Sequence, residues 1–110
     1  MTKLDIGDRV QVHFVVSSSY VNRRDLIRYL GREGVVHSIG DTYRYKNDLE
    51  FSPWDPRRYT YRIWYPNDWL HVTGYYLEYL GSLSVEERAT HPMQVIRDTI
   101  HTQDLLKCLD

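Results

Sequence analysis

The sequence predicts a mainly β protein, an antiparallel barrel with helical additions. Two segments, residues 7–14 and 31–39, each place a turn-forming Gly before β-branched residues at alternate positions, as a strand with one buried face requires. A third segment, residues 58–65, alternates in the same way and is followed by a partner strand over residues 69–73. At 110 residues, the chain is long enough for one such domain and no second core.

The predicted strands follow in order along the chain. Strand one covers residues 9–16, with Val10, Val12 and Phe14 on the buried face. Strand two covers residues 34–39, and a turn at Gly40-Asp41 leads into a short strand over residues 43–46. Two prolines stiffen the loop over residues 47–58, Pro66-Asn67-Asp68 forms a turn, and residues 74–80 carry the closing turn.

Two segments are predicted to be helical. Residues 22–30 form a short inserted helix that ends at Gly31, with Leu26, Ile27 and Leu30 on the packed side and Arg28 outward. After residue 81, Ser84-Val85-Glu86-Glu87 is a capping-box pattern, and a C-terminal helical extension is predicted over about residues 84–109. We therefore expect a barrel with its helical insertion over residues 1–81 and an extension over residues 82–110 packed on the same domain.

Three motifs carry a family resemblance over about residues 6–80. The strand opener Gly7-Asp8, the Gly31-x-x-Gly34-x-Val36 pattern and the late Leu77-Glu78-Tyr79-Leu80 segment occur in an order that resembles SH3-like barrels, including KOW-type modules of transcription and translation proteins. The resemblance implies a small-barrel scaffold. It does not by itself imply a ligand.

Composition narrows the class of protein. Ten Tyr and three Trp against two Phe favour half-buried contact faces over a dry core. The net charge is −1, but residues 1–62 hold 11 Lys and Arg against 8 Asp and Glu, while residues 63–110 hold 3 against 7. A basic face and an acidic tail are therefore expected. The single Cys108 and the charged start without an apolar run indicate a cytoplasmic protein with no membrane span.

A cluster of basic and aromatic residues is the candidate contact surface. Arg neutralises anions and stacks on rings, and Tyr, Trp and Arg are enriched at interface hot spots. Trp54, in a proline-stiffened loop, also has Trp64 and Trp69 available to form an aromatic groove. A partner protein is the expected ligand, and single-stranded nucleic acid is the alternative. The candidate residues are Arg23, Arg24, Arg28, Arg32, Arg44, Lys46, Trp54, Arg57, Arg58, Tyr59 and Arg62.

Catalysis has little sequence support. The five His show no i, i+4 pair, so no metal site or cofactor is predicted; His13, His37 and His71 meet only if neighbouring strands align them on one face. The Gly-Asp opener and C-terminal helix also resemble MazF-type endoribonuclease toxins, which would imply cleavage of single-stranded RNA. The Arg-Pro of that family is replaced here by Arg32-Glu33-Gly34, so no catalytic pair is carried over. We therefore expect a protein that binds without catalysing a reaction.

Overall fold

A computed structural model describes residues 4–13, 26–42 and 59–100 of the chain. Five strands form one antiparallel sheet in the order β4-β3-β2-β1-β5. The strands are β1 (Asp8–Val12), β2 (Glu33–Thr42), β3 (Tyr59–Tyr65), β4 (Asp68–Thr73) and β5 (Leu77–Ser82). Two short helices follow, α1 (Val85–Ala89) and α2 (Gln94–Arg97). The prediction of a mainly β chain with helical additions is confirmed.

The core lies on one face of this sheet, where the alternation of the sequence places the apolar side chains. Val10 and Val12 of β1 and Tyr61 and Ile63 of β3 are fully buried, whereas Arg62 between the last two is exposed. A strand with period two gives this division automatically. The remaining buried members of the cluster come from the other four strands, from the segments before β1 and β2, and from the turn between β4 and β5: Leu4, Leu26, Tyr29, Val36, Tyr65, Leu70, Val72, Tyr76 and Leu77.

A two-residue turn joins β3 to β4. Tyr65 pairs with Asp68, and the turn between them consists of Pro66 and Asn67. Asn67 has φ of 64°, a left-handed conformation that Asn tolerates. The ring of Pro66 fixes its own φ at the first position of the turn. The predicted turn is therefore confirmed, and its length fixes which side chains of β3 and β4 face each other.

The prediction of a turn at Gly40-Asp41 is wrong, because β2 continues through both residues to Thr42. The register between β2 and β3 shifts between Ile39 and Thr42, so the strand accommodates these residues as an irregularity. A Cβ on Gly40 would meet the hydroxyl of Thr60 on the neighbouring strand. Gly40 thus serves a close approach between strands.

The segment before β2 also packs differently from the prediction. Leu26 and Tyr29 are buried, whereas Ile27 and Leu30 are each 50% exposed. Leu26 and Ile27 are helical, as predicted, but the backbone bonds from Tyr29 N to Leu26 O (3.0 Å) and from Leu30 N to Ile27 O (3.2 Å) span three residues. The helix therefore tightens into a turn before Gly31, which changes the side to which Tyr29 and Leu30 point.

A 3₁₀ turn, Gly74–Tyr76, leads into β5. The described residues after β5, 83–100, form the C-terminal part. The capping box at the start of α1 is confirmed: Ser84 Oγ accepts from Glu87 N (3.1 Å), and Glu87 Oε1 accepts from Ser84 N (3.1 Å). Arg88 of α1 ties this part to the sheet, since its Nη1 donates to Ile6 O at 3.3 Å. Phe14, the predicted helix start, the strand over 43–46, the loop over 47–58 and the extension beyond residue 100 lie outside the described residues, and the division at residues 81 and 82 stays a prediction.

Candidate docking surface on the outer face of the sheet

The face of the sheet opposite the core carries aromatic and basic side chains on β3 and β4. In the register of this pair, Arg62 lies opposite His71 and Trp64 lies opposite Trp69. Residues directly opposite each other point to the same face, and so do residues two apart on one strand. These four side chains therefore share one face.

Arg62 and Trp69 form the centre of this surface. The guanidinium carbon of Arg62 lies 4.2 Å from the centroid of the Trp69 ring, and the His37 ring of β2 meets the same indole edge-on at 4.8 Å. Trp69 remains 36% exposed. A cation over an indole contributes about 0.5–1 kcal/mol at an exposed site. We call His37, Arg62, Trp69 and His71 the outer-sheet patch.

The charge of Arg62 has no acidic neighbour in the part of the chain that the structure describes. Among the residues that the structure describes, no carboxylate lies within 4.0 Å of its guanidinium, whereas Arg9 pairs with Glu33 and Arg32 lies 3.8 Å from Asp68. Burial, with a further contribution from Arg62, holds the pKa of His37 below its usual value. The patch is therefore cationic through Arg62 at neutral pH. An open hollow of ≈ 410 Å³ adjoins it, lined by Ser38, Ile39, Gly40, Arg62 and His71.

A second group of side chains fixes the backbone of Trp69 from the hairpin end; we call Tyr29, Arg32, Tyr65 and Asp68 the hairpin-end cluster. The Tyr29 hydroxyl lies 2.8 Å from Asp68 Oδ1 and 3.0 Å from Trp69 O, and Trp69 N donates to the same carboxylate oxygen at 2.8 Å. The Tyr29 hydroxyl, more than any other neighbour, lowers the pKa of Asp68. The carboxylate thus stays ionised and holds Trp69 in place.

Arg32 covers the rings of the hairpin-end cluster. Its guanidinium carbon lies 5.3 Å from the centroid of Tyr29 and 4.9 Å from that of Tyr65. The Tyr65 hydroxyl is buried and has no hydrogen-bond partner among the described residues, and burial raises its pKa to about 12. Arg32 packs on two tyrosine rings and lies near the Asp68 carboxylate, so its guanidinium is less available to a ligand than that of Arg62.

The sequence-predicted site residues divide between three places. Arg28 lies beside Tyr29, with its guanidinium carbon 5.5 Å from the ring, and Arg32 belongs to the hairpin-end cluster. Tyr59 is half-buried on the core side, 6.5 Å from the Tyr61 ring, and Arg62 is in the outer-sheet patch. The other seven candidates lie outside the described residues: Arg23, Arg24, Arg44, Lys46, Trp54, Arg57 and Arg58.

The candidate list omitted Trp69, His71 and His37, which the structure places around Arg62. A signal for two of them was present in the sequence. A two-residue turn at Pro66-Asn67 places Tyr65 opposite Asp68. Counting outward along both strands from this pair places Trp64 opposite Trp69 and Arg62 opposite His71. No comparable signal places His37, because the register of β2 shifts between Val36 and Ser38.

Other concave or ligand-forming features point less clearly to a function. A cleft of ≈ 560 Å³ lies between the start of β1 and the C-terminal helices, but Arg88 already donates there to Leu83 O, Ile6 O and Thr99 Oγ1. The described ranges contain no group of three metal-binding side chains and no helix that is long and apolar enough to span a bilayer.

None of the protein-family models, curated protein sequences or solved structures compared with this chain matches it.

Proposed function

We propose that this protein is a non-catalytic binding module that docks onto an acidic segment of a partner protein through the outer-sheet patch. The observation that carries the proposal is the exposed Arg62–Trp69 pair, 4.2 Å apart, with no carboxylate within 4.0 Å of Arg62 among the described residues. An arginine held on an indole offers donors to a carboxylate and an apolar surface beside it.

An SH3-like arrangement of the strands is part of the proposal. The sheet order β4-β3-β2-β1-β5 and the 3₁₀ turn between β4 and β5 support it, together with the Gly-Asp opener of β1. Small barrels of this kind present ligands with a rigid surface, and the hairpin-end cluster stiffens the strand that carries Trp69.

Charge favours a protein segment over a nucleic acid. Within the described ranges the patch contains one permanent cation, Arg62, and binding to a phosphate backbone draws on many cations in a row. One arginine beside an indole instead matches a short segment with an acidic residue next to an apolar one. Direct binding of single-stranded nucleic acid is the alternative, because Trp69 is an exposed ring of the kind on which bases stack.

Fluorescence anisotropy with labelled probes tests the proposal. The probes are a peptide rich in Glu with interspersed Leu, the same peptide with Gln for Glu, and a single-stranded oligonucleotide. We expect the acidic peptide to bind best. Trp69→Ala and Arg62→Gln each weaken it by about tenfold, since an interface anchor contributes about 1–2 kcal/mol.

Two variants serve as matched controls. Tyr79→Ala removes an aromatic that is 44% exposed on β5, at the other end of the sheet order, and Arg9→Gln removes a strand arginine that is already paired with Glu33. Both should bind like the unsubstituted protein. Equal losses in all four variants would contradict the proposed surface. Preference for the oligonucleotide, with log affinity falling steeply against log salt, would instead establish the nucleic-acid alternative.

A further inference from the structure

Trp64, the cross-strand neighbour of Trp69, is covered by a residue of the C-terminal part. The rings of Trp64 and His91 meet edge-to-face, with centroids 4.5 Å apart, and His91 is only 8% exposed. Trp64 itself is half-buried. The segment around His91 therefore lies on the outer face directly beside the outer-sheet patch.

His91 occupies this position only as a neutral imidazole. Its Nδ1 accepts a hydrogen bond from Met93 N at 3.0 Å, so the ring hydrogen is on Nε2. That Nε2 is buried and has no hydrogen-bond partner among the described residues. A second proton must go to Nδ1, where it removes the bond to Met93 and leaves a buried cation without an acceptor.

The charges around His91 oppose a second proton as well. Burial has the largest effect on its pKa, Arg97 of α2 adds to it, and His37 of β2 acts in the same direction; all three lower the pKa. His37 is in a similar position, with a buried Nδ1 that has no partner in the described ranges and with Arg62 nearby. The described carboxylates of the neighbouring strands, Glu33 of β2 and Asp68 of β4, are not among the groups that shift the pKa of either ring.

The segment that carries His91 is tied at both ends by one residue that does not titrate. Arg88 donates to Leu83 O at 3.1 Å on one side and to Thr99 Oγ1 at 2.6 Å on the other. Between these ties, Arg97 Nη1 donates to His91 O at 2.6 Å, which makes the segment a unit. We call residues 90–98 the clasp. Loss of the His91 contact would release the beginning of the clasp from Trp64, while the fully buried Ile96 and the bonds of Arg88 hold the rest in place.

We propose that the clasp is an acid-released cover of Trp64, and that its opening enlarges the outer-sheet patch for an acidic partner. The second half of this inference rests on the proposed docking function, and the first half does not. A folded-state pKa below the unfolded value means that the closed clasp is stable above about pH 6.5 and loses stability as the pH falls through the folded value. Opening of the clasp at acid pH therefore adds Trp64 to the patch.

Hydrogen exchange followed by mass spectrometry tests the opening directly. After correction for intrinsic exchange, we expect clasp amides to open more often below about pH 6.5, by up to about tenfold per pH unit for one linked proton. Amides of β3 should keep their protection. Unchanged exchange in the clasp would overturn the inference, and so would equal loss in β3, which would mean global unfolding.

Two variants separate the clasp from a general effect of histidine. His91→Asn keeps an acceptor close to the position of Nδ1 but does not titrate, so its clasp should stay closed at about pH 5. His71→Gln removes an exposed histidine of the same face and should leave the opening of the clasp as it is. An unaltered pH response in His91→Asn would contradict the role of His91.

Binding of the labelled acidic peptide at about pH 7.5 and about pH 5 completes the test. We expect the gain in affinity on acidification to shrink in His91→Asn relative to the unsubstituted protein. If the clasp opens at acid pH but the peptide does not bind at Trp69, the docking function is refuted and the clasp is established. If the peptide binds at Trp69 but the clasp does not open, the clasp is refuted and the docking function stands.

Discussion

Substitution of Gly34 tests how closely β2 packs against the buried side chains of β3. A Cβ built on Gly34 lies 2.6 Å from Ile63 Cγ2 and 2.8 Å from Tyr65 Cε1. Ordinary carbon contacts lie near 3.5–4.0 Å, so these neighbours would have to retreat by about 1 Å. Ile63 and Tyr65 are 0% and 1% exposed, and neither has open space to move into.

We therefore expect Gly34→Ala to lower the free energy of unfolding by about 1–3 kcal/mol, the usual cost of overpacking a core. For a domain of this size, the thermal midpoint should fall by roughly 4–8 °C for each kcal/mol. Urea and thermal unfolding followed by circular dichroism measure both quantities.

Gly40→Ala is the matched control for this prediction. Its added Cβ meets one atom closely, the hydroxyl oxygen of Thr60, and its next neighbours lie at 3.6 Å, so the expected cost is smaller, under about 1 kcal/mol. Equal stability of Gly34→Ala and the unsubstituted protein would refute the packing described around Ile63 and Tyr65. An equally large loss in Gly40→Ala would show that both glycines are needed for the strand backbone and not for space.

The remaining predictions concern titration, the clasp and a helix cap. Burial raises the pKa of both Tyr61 and Tyr65 to about 12. The contribution of these two tyrosines to folding stability should therefore be constant below about pH 10 and fall as the pH rises from there towards 12. Phenolate absorbance should show them ionising last or only on unfolding. Ile96→Ala, at a fully buried position outside the main core cluster, should destabilise the C-terminal part by about 2–5 kcal/mol, and hydrogen exchange should increase there more than in β3. Ser84→Ala should cost about 0.5–2 kcal/mol by removing the capping box, measured as faster exchange in α1, and Ser84→Thr should restore most of it.

Strands β1 and β3 were predictable from the sequence because buried and more exposed residues alternate along them. Tyr61, Ile63 and Tyr65 are all buried as expected, and the Pro66-Asn67 turn fixes the register of the hairpin. The same two features contained the pairing of Arg62 with His71. The contact site was therefore partly available from local pattern.

What the sequence could not supply were features that depend on tertiary contacts. The turn at Gly40-Asp41 was wrong because Gly40 meets Thr60 of the neighbouring strand, and nothing local distinguishes a turn glycine from a close-approach glycine. Burial of Tyr29 instead of Ile27 depends on the bond from its hydroxyl to Asp68, 39 residues away. His91 reaches Trp64 only through the path of the C-terminal part.

The bonds to the backbone of Trp69 have a consequence for solubility. A terminal strand such as β4 offers main-chain donors and acceptors on which the strand of another molecule can assemble, which is a common route to aggregation. At Trp69 the N–H already donates to Asp68, and the carbonyl lies 3.0 Å from the Tyr29 hydroxyl, whose single proton is shared between this carbonyl and the Asp68 carboxylate. The chain therefore displays a large aromatic ring at its sheet margin while denying that margin to intermolecular strand pairing at the same residue.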